Sequence, residues 1–338
     1  MKRMPLVSVL ITAYNVEAYI EESVTAVLNQ TYPELEIIVV DDGSTDQTGK
    51  LLDGLAQKDR RLKVIHNPTN LGIIKSANIG LAHVNGEYVA RTDSDDITMP
   101  EWIETLLGIM EASPDILAVS SPLICMAQDG KLAEVFKRNG WLGWNDMPIL
   151  HEDIIKAMIS SGNVMSHTSA LIRRTVFSEF AIRYNENYQC AEDFKLWVDI
   201  SKVGKLHNYH SPLAYYRLHS TQTSSQFFDK QFETASKIRK ECIANFLVSE
   251  NVRCVLPAVP AYHDVKHLEL EINRMAGFSE EKDKLFQNIL YVIYMSLPRY
   301  RLVDLFDFGI RKHPFLSSKQ FSKICKKFLR PWKYKKII

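Results

Sequence analysis

Five cysteines (Cys125, Cys190, Cys242, Cys254, Cys325), odd in number and scattered, include no C-x-x-C pair. That argues against a disulfide framework and a structural zinc site and fits a reduced cytoplasm. No run of 18 apolar residues occurs, so no membrane-spanning helix is expected. A secretory signal is not expected either, because the apolar stretch Leu6 to Ile11 is short, is broken by Ser8 and is followed at once by Tyr14-Asn15. G-x-G-x-x-G and G-x-x-x-x-G-K-[ST] are both missing, which leaves dinucleotide and P-loop chemistry without support. Solenoid-type repeats and low-complexity tracts are missing too.

What is present is a chain of 338 residues with 46% apolar content, enough for a sizeable core. The formal net charge of +1 conceals an uneven distribution. From Arg311 onward there are ten Lys/Arg and no Asp/Glu, leaving 31 basic against 40 acidic groups before it. Residues 1 to about 120 alternate short apolar runs with amphipathic stretches, the pattern of βαβ units around a mainly parallel sheet. Strands are expected at Val7 to Ile11, Ile37 to Val40, Leu62 to Ile65 and Glu87 to Arg91, with helices over Glu17 to Asn29, from about Asp46, and after Leu71-Gly72. Residues 121 to 165 read as irregular loops, in which Trp141 and Trp144 either stack on sugar or pack the loop. Further strands are expected at Thr168 to Arg173 and Pro212 to Leu218, a helix over Asp193 to Ile200, and helices near 227–248, 282–296 and 317–328.

Asp93-Ser94-Asp95-Asp96 places three carboxylates in four residues directly after an apolar strand. Close acids repel by roughly 1 kcal/mol or more per pair, which a cation or solvent must offset. A divalent ion carrying a diphosphate would do so, since Mg2+ and Mn2+ are commonly held by one or two carboxylates while phosphate oxygens complete the shell. An acidic turn capping the next helix would look similar in sequence. In open α/β sheets ligands bind beyond the carboxyl ends of the strands, so Thr12 to Asn15, Asp41-Asp42 and Asp93 to Asp96 should share one crevice.

Taken in order, Val7 to Asn15, Val39 to Asp46, Asn70-Leu71-Gly72, Asn78-Ile79-Gly80, Gly86-Glu87-Tyr88 and Asp93 to Asp96 resemble the family 2 glycosyltransferases. Weaker matches continue at His167 to Arg174, Ala191 to Trp197 and Tyr215 to His219, so the resemblance covers roughly residues 5 to 225. It implies an α/β GT-A fold, a Rossmann-like mainly parallel sheet, in a catalytic domain over 1–225, followed by a helical C-terminal region over 226–338. It also implies an inverting, metal-dependent transfer of a hexose or N-acetylhexosamine from a UDP-sugar to a glycan or lipid-linked glycan, as in bacterial capsule, O-antigen or exopolysaccharide assembly. A non-catalytic GT-A subunit that binds sugar nucleotide or glycan is the alternative. A sugar-nucleotide pyrophosphorylase is disfavoured, because Thr12-Ala13-Tyr14-Asn15 is not a glycine-rich phosphate loop.

The resemblance assigns roles residue by residue. Asp93 and Asp95 correspond to the D-x-D pair that holds Mn2+ or Mg2+, with Asp95 the direct ligand and Asp93 nearer the ribose or a metal water; Asp96 either supports the metal or caps the helix at Pro100. Thr12, Ala13, Tyr14 and Asn15, with Asp41, Asp42 and Ser94, correspond to the donor pocket. Asp41 meets the base or organises its own turn, and Tyr14 stacks or is structural. Lys75 and Arg217 are candidate diphosphate partners, although a solvated helix lysine fits Lys75 as well. His219 is a candidate metal ligand and His167 lies in a segment near the acceptor. Inversion needs a base for the acceptor hydroxyl. Asp193, preceded by Glu192, matches the family's E-D motif, whereas without that resemblance the pair reads as dipole-favoured acids at a helix N-terminus. The basic tail, where Phe315, Phe321, Ile324, Phe328 and Trp332 alternate with lysines, reads as an amphipathic segment on anionic lipid or as a helix packed on the body, with nucleic acid a poor third. The expected location is the cytoplasm, at the inner face of the membrane.

Overall fold

The computed structural model describes residues 3–131, 147–220, 222, 226–252, 257, 260–274, 280–297, 304, 307–308, 313 and 316–329. Trp141, Trp144 and the last nine residues of the basic tail lie outside them. The chain divides into two compact units, Met1–Ile154 with Val164–Thr234, and Ile155–Asn163 with Ala235–Ile338.

In the first unit β1 (Val7–Ala13), β2 (Leu35–Asp41), β3 (Leu62–His66) and β4 (Tyr88–Arg91) are parallel neighbours in the order β3-β2-β1-β4. Every residue of β1 and β2 is buried. Strands covered on both faces read as continuous apolar runs, which is why Val7 to Ile11 and Ile37 to Val40 are legible as strands. The sheet continues through β8 (Ala170–Arg173), β6 (Ile116–Ser120) and β9 (Lys205–Asn208), with β8 antiparallel to both neighbours. A second sheet joins β5 (Ile97–Thr98), β10 (Ala214–Leu218) and β7 (Leu123–Ala127).

Helices α1 (Ile20–Leu28), α2 (Thr48–Ala56), α3 (Ile73–Leu81) and α4 (Trp102–Ala112) connect or flank these strands. Ile20, Val24 and Val27 of α1 share one buried stripe, as do Trp102, Leu106 and Met110 of α4. A fully buried Leu106 contributes about 1.5–3 kcal/mol. At Gly80 an added Cβ would lie 2.2 Å from Leu10 Cδ1, so glycine allows α3 its close approach to β1. The irregular stretch expected over 121–165 contains β7 and α5 (His151–Ser160). Short α6 (Thr175–Ser178) and α7 (Glu192–Ile200) follow.

The second unit is helical: α8 (Phe228–Ser249) from Ala235 on, α9 (Tyr262–Arg274), α10 (Glu280–Ser296) and α11 (Ser318–Leu329). Its core includes fully buried Glu269, which accepts from Tyr294 Oη at 2.7 Å and pairs with His313 Nδ1 at 2.7 Å. On α11 the amphipathic pattern is satisfied internally. Ile324 is fully buried, Phe321 stacks on Phe308 at 5.0 Å, and buried Lys327 donates to the carbonyls of Met295 and, at 3.0 Å, Leu297. Burial and nearby Lys240 push Lys327 down to about 8. Of the two expectations for this segment, lipid contact or packing on the body, Ile324 and Phe321 follow the second and meet protein. Among the described residues no helix is long and apolar enough to cross a membrane.

Candidate active site

The site is assembled where β1, β2 and β4 end side by side. Asn15, at φ 50°, receives Thr45 N–H on its Oδ1 at 2.8 Å, and its own N–H donates to Ser44 Oγ at 3.0 Å, so the loops after β1 and β2 are tied together. The chain turns at Gly43, whose φ of +68° and close approach to Thr69 and Asn70 exclude a side chain. Thr12 and Ala13 are buried at the end of β1, while Tyr14 is 44% exposed, an aromatic face presented to solvent beyond the strand.

Asp41 is buried; its Oδ1 accepts Ser44 N–H at 3.1 Å and its Oδ2 lies 2.9 Å from His66 Nδ1. The opposite ring nitrogen of His66 is 3.1 Å from Asp53 Oδ1, and Asp41 together with Asp53 raises the His66 pKa against the effect of burial. Asp42 is buried with both oxygens committed, to Asn67 Nδ2 and Leu71 N–H on Oδ1 and to Gly72 N–H on Oδ2, at 2.8–2.9 Å. Asp42 thereby fixes the Leu71-Gly72 turn. Lys75 is exposed on α3, 3.7 Å from Glu186 on the surface.

The acidic loop after β4 is held from three sides. Ser23 Oγ lies within hydrogen-bond reach of the carbonyls of Asp93 and Asp96, and Asp93 N–H donates to Thr168 Oγ1 at 3.0 Å. Ser94 is buried. Asp96 Oδ1 accepts the backbone N–H of Arg217 at 2.9 Å, and its Oδ2 has no partner among the described residues. Burial, then Asp95 and Asp93, hold the Asp96 carboxyl well above the usual carboxylate range. Asp96 does not cap the following helix, whose N-cap is Glu101. Arg217, expected at the diphosphate, is enclosed instead. Its Nε donates to Asp95 O at 2.8 Å, Nη1 to Gln128 O at 3.1 Å and Nη2 to Glu22 at 2.7 Å, over the Tyr19 ring. Through these bonds Arg217 shapes the acidic turn.

Asp95 Oδ2 lies 2.9 Å from His219 Nε2, and the His219 ring sits 4.9 Å from that of Tyr19. Asp93 turns elsewhere: its Oδ1 is 2.9 Å from Arg91 Nη2. The Asp95 carboxylate is the kind of oxygen donor that suits Mg2+ or Mn2+, and the His219 imidazole beside it is a second group that could face a cation. Among the described residues no group of three or more His, Cys, Asp or Glu stands ready for a metal. The geometry thus fits a two-ligand cation site of Asp95 and His219 that phosphate oxygens complete.

Across the crevice Glu192 and Asp193 occupy the first turn of α7, where the helix dipole favours acids. Asp193 is half-buried. Glu192 is 9% exposed, its Oε2 without a partner among the described residues. Burial, then Asp193 and Asp93, push its carboxyl up to about 7 against the pull of Arg91. Asp93 acting on Glu192 places the acidic loop and the E-D pair in one electrostatic neighbourhood. His167 Nε2 is 2.8 Å from Tyr184 Oη, and burial together with Arg91 pushes His167 down to about 3, so the imidazole is neutral. Asn78, from the Asn78-Ile79-Gly80 segment, clamps Tyr184 through its backbone N–H and carbonyl at 3.1 and 2.8 Å. Sequence reasoning did not single out Arg91, Tyr184 or Ser23; the one available signal was an arginine inside an otherwise apolar strand run.

A sequence model described as "Glycosyl transferase family 2" matches residues 8–180. An uncharacterized glycosyltransferase of Haemophilus influenzae is 38% identical over 98% of this chain and 98% of its own. Chondroitin synthase of Pasteurella multocida is 30% identical over 68% of this chain, a match spanning 22% of that larger protein. Among solved structures, S. aureus TarS 1-349 in complex with UDP-GlcNAc aligns with a TM-score of 0.59 at 18% identity, over 96% of this chain and 92% of that one. The mannosyltransferase PcManGT from Pyrobaculum calidifontis, in complex with GDP-Man and Mn2+, aligns at 0.53 and 18% over 99% and 85%.

Proposed function

The chain belongs to glycosyl transferase family 2 and carries a GT-A fold, and on that footing we propose that it is an inverting, metal-dependent transferase. It moves a hexose or N-acetylhexosamine from a UDP-sugar to a glycan or lipid-linked glycan acceptor. The observation that carries the reading is the joining of the acidic loop to the helix of the E-D pair: Asp93 N–H donates to Thr168 Oγ1 at 3.0 Å, and the neighbouring His167 ring lies 6.4 Å from that of Trp197 on α7, whose first turn holds Glu192 and Asp193. Nucleotide-sugar complexes of the structural neighbours and the likeness to a chondroitin synthase support the donor class and a polysaccharide product.

The chemistry asks three things of these residues. The donor must be seated, and Thr12, Ala13, Tyr14 and Asn15 form a wall at the end of β1, with Asp41 at the end of β2. The leaving diphosphate must be stabilised: Asp95 and His219 would hold a divalent cation that neutralises its developing charge. The acceptor hydroxyl must lose its proton as its oxygen attacks the anomeric carbon. In our reading the Asp193 carboxylate takes that proton, the new C–O bond forms on the face opposite the diphosphate, and the old C–O bond's electrons leave with the diphosphate. A positioned carboxylate base typically contributes 10²–10⁴-fold. Glu192, raised to about 7 by burial, Asp193 and Asp93, is in part neutral near pH 7, which lessens the negative charge beside the base, and in our reading it supports the acceptor.

A thermal-shift screen of nucleotide sugars with Mn2+, followed by a transfer assay with the best donor, tests the reading. Stabilisation by UDP and a UDP-sugar only when Mn2+ is present is the expected result. Equal stabilisation with and without Mn2+, or by Asp95→Ala as by wild type, would remove the metal assignment.

A further inference from the structure

Arg91 is the last residue of β4 and is fully buried, following Val89 and Ala90 in a strand whose other positions are apolar. A buried cation costs stability unless it is paired and hydrogen-bonded, and an apolar side chain would fill this strand position without that cost. Its guanidinium reaches in two directions. Nη2 donates to Thr12 Oγ1 at 3.0 Å and lies 2.9 Å from Asp93 Oδ1, and Nη1 donates to the Thr92 carbonyl. Nε has no partner among the described residues. One side chain therefore joins the end of β1, the carbonyl preceding the acidic loop and the carboxylate of the first aspartate in it.

Asp93 needs such a tether. Asp95 and Asp96 follow within three residues, and repulsion among the three acids would turn the Asp93 carboxylate outward. An arginine fork fixes one carboxylate oxygen in direction as well as by charge, which a lysine ammonium does less well.

We propose that Arg91 is a positioning residue of the donor site, setting the Asp93 carboxylate and Thr12 in one fixed relation so that the two walls of the nucleotide pocket are built by a single buried guanidinium. The assignment rests on reading Thr12 and Asp93 as donor contacts. Arg91 itself touches neither donor nor acceptor.

The test is a cycle of Arg91→Gln, Asp93→Asn and the double variant, read as Mn2+-dependent UDP affinity by calorimetry and as donor and acceptor KM. Each single change should weaken UDP binding by about tenfold. The double should stay within about threefold of the weaker single, because both remove one interaction. Donor KM should rise with affinity loss while acceptor KM stays within twofold, a split that general loosening of the fold would not give. Losses that multiply to about 100-fold in the double would overturn the proposal. Arg91→Lys should fall between wild type and Arg91→Gln, and it serves in the same measurements if the glutamine variant does not fold. Wild-type protein that binds no UDP with Mn2+ would defeat the functional reading instead. Unfolding midpoints of the same variants would then decide the tether: non-additive shifts support it and additive shifts overturn it.

Discussion

Replacing Glu192 with Gln should raise the melting temperature at pH 8 and leave it nearly unchanged at pH 4. The Glu192 carboxyl stands near 7 in the folded protein, raised by burial, Asp193 and Asp93, against an ordinary value of 4.5. A group raised on folding contributes stability that is fully present below its unfolded value and is lost as pH rises through the folded one. The window therefore runs from about 4.5 to about 7, and above it wild type carries the whole penalty of a buried carboxylate. At about 1.4 kcal/mol per unit the upper bound is about 3.5 kcal/mol, and sharing of charge with Asp193 and Asp93 brings the expectation to roughly 2–3 kcal/mol. For a unit of this size that is about 4–12 °C in melting temperature. Gln keeps the shape and removes the charge. The assay is differential scanning calorimetry of both proteins, without nucleotide or metal, at half-unit steps from pH 4 to 8. A difference between the two that does not change with pH would refute the reasoning, because lost packing or an altered hydrogen bond has no reason to titrate in that window.

His219→Ala should leave folding intact yet weaken Mn2+-dependent UDP binding by about tenfold, and added EDTA should then separate the variant from wild type no further; an unchanged Mn2+ response would remove His219 from the cation site. Lys327→Met should cost about 1–3 kcal/mol in denaturant unfolding, since the carbonyls of Met295 and Leu297 lose their buried donor, and an equal or higher midpoint would contradict that role. Among the described residues, Lys319, Lys323 and Lys326 of α11 are exposed and are where the expected contact with anionic membrane would fall. At roughly 1 kcal/mol each, changing all three to Gln should release the protein from phosphatidylserine vesicles in sedimentation, and unchanged binding would refute lipid contact through that face.

The strands that frame the site were legible because burial on both faces leaves uninterrupted apolar runs, and the acids after them stood out against those runs. Val7 to Ile11 and Ile37 to Val40 lead straight to Thr12 and Asp41. The roles of Asp42 and Arg217 were not legible, because each is decided by partners far away in sequence. Asp42 is consumed by backbone N–H groups about thirty residues on, and Arg217 by a loop more than a hundred residues back. Both carry charge that a donor site would use, and only their hydrogen bonds show that they also hold the site's loops in shape. Arg91 was hidden the opposite way, since a strand residue is read for packing and its reach to Thr12 and Asp93 depends on the neighbouring parallel strand. The amphipathic pattern of α11 could not by itself distinguish lipid from protein as the covering surface; Ile324 and Phe321 meet protein. Helix α9 was missed, its apolar positions being diluted by charged and histidine residues.

The proton transfer assigned to Asp193 is open to one decisive measurement, Asp193→Asn assayed in parallel for Mn2+-dependent UDP affinity and for sugar transfer to the acceptor. Affinity within about twofold of wild type together with transfer reduced by 10²–10⁴-fold is the expected result. Near-wild-type transfer would contradict it, and the base would have to be sought elsewhere in the crevice.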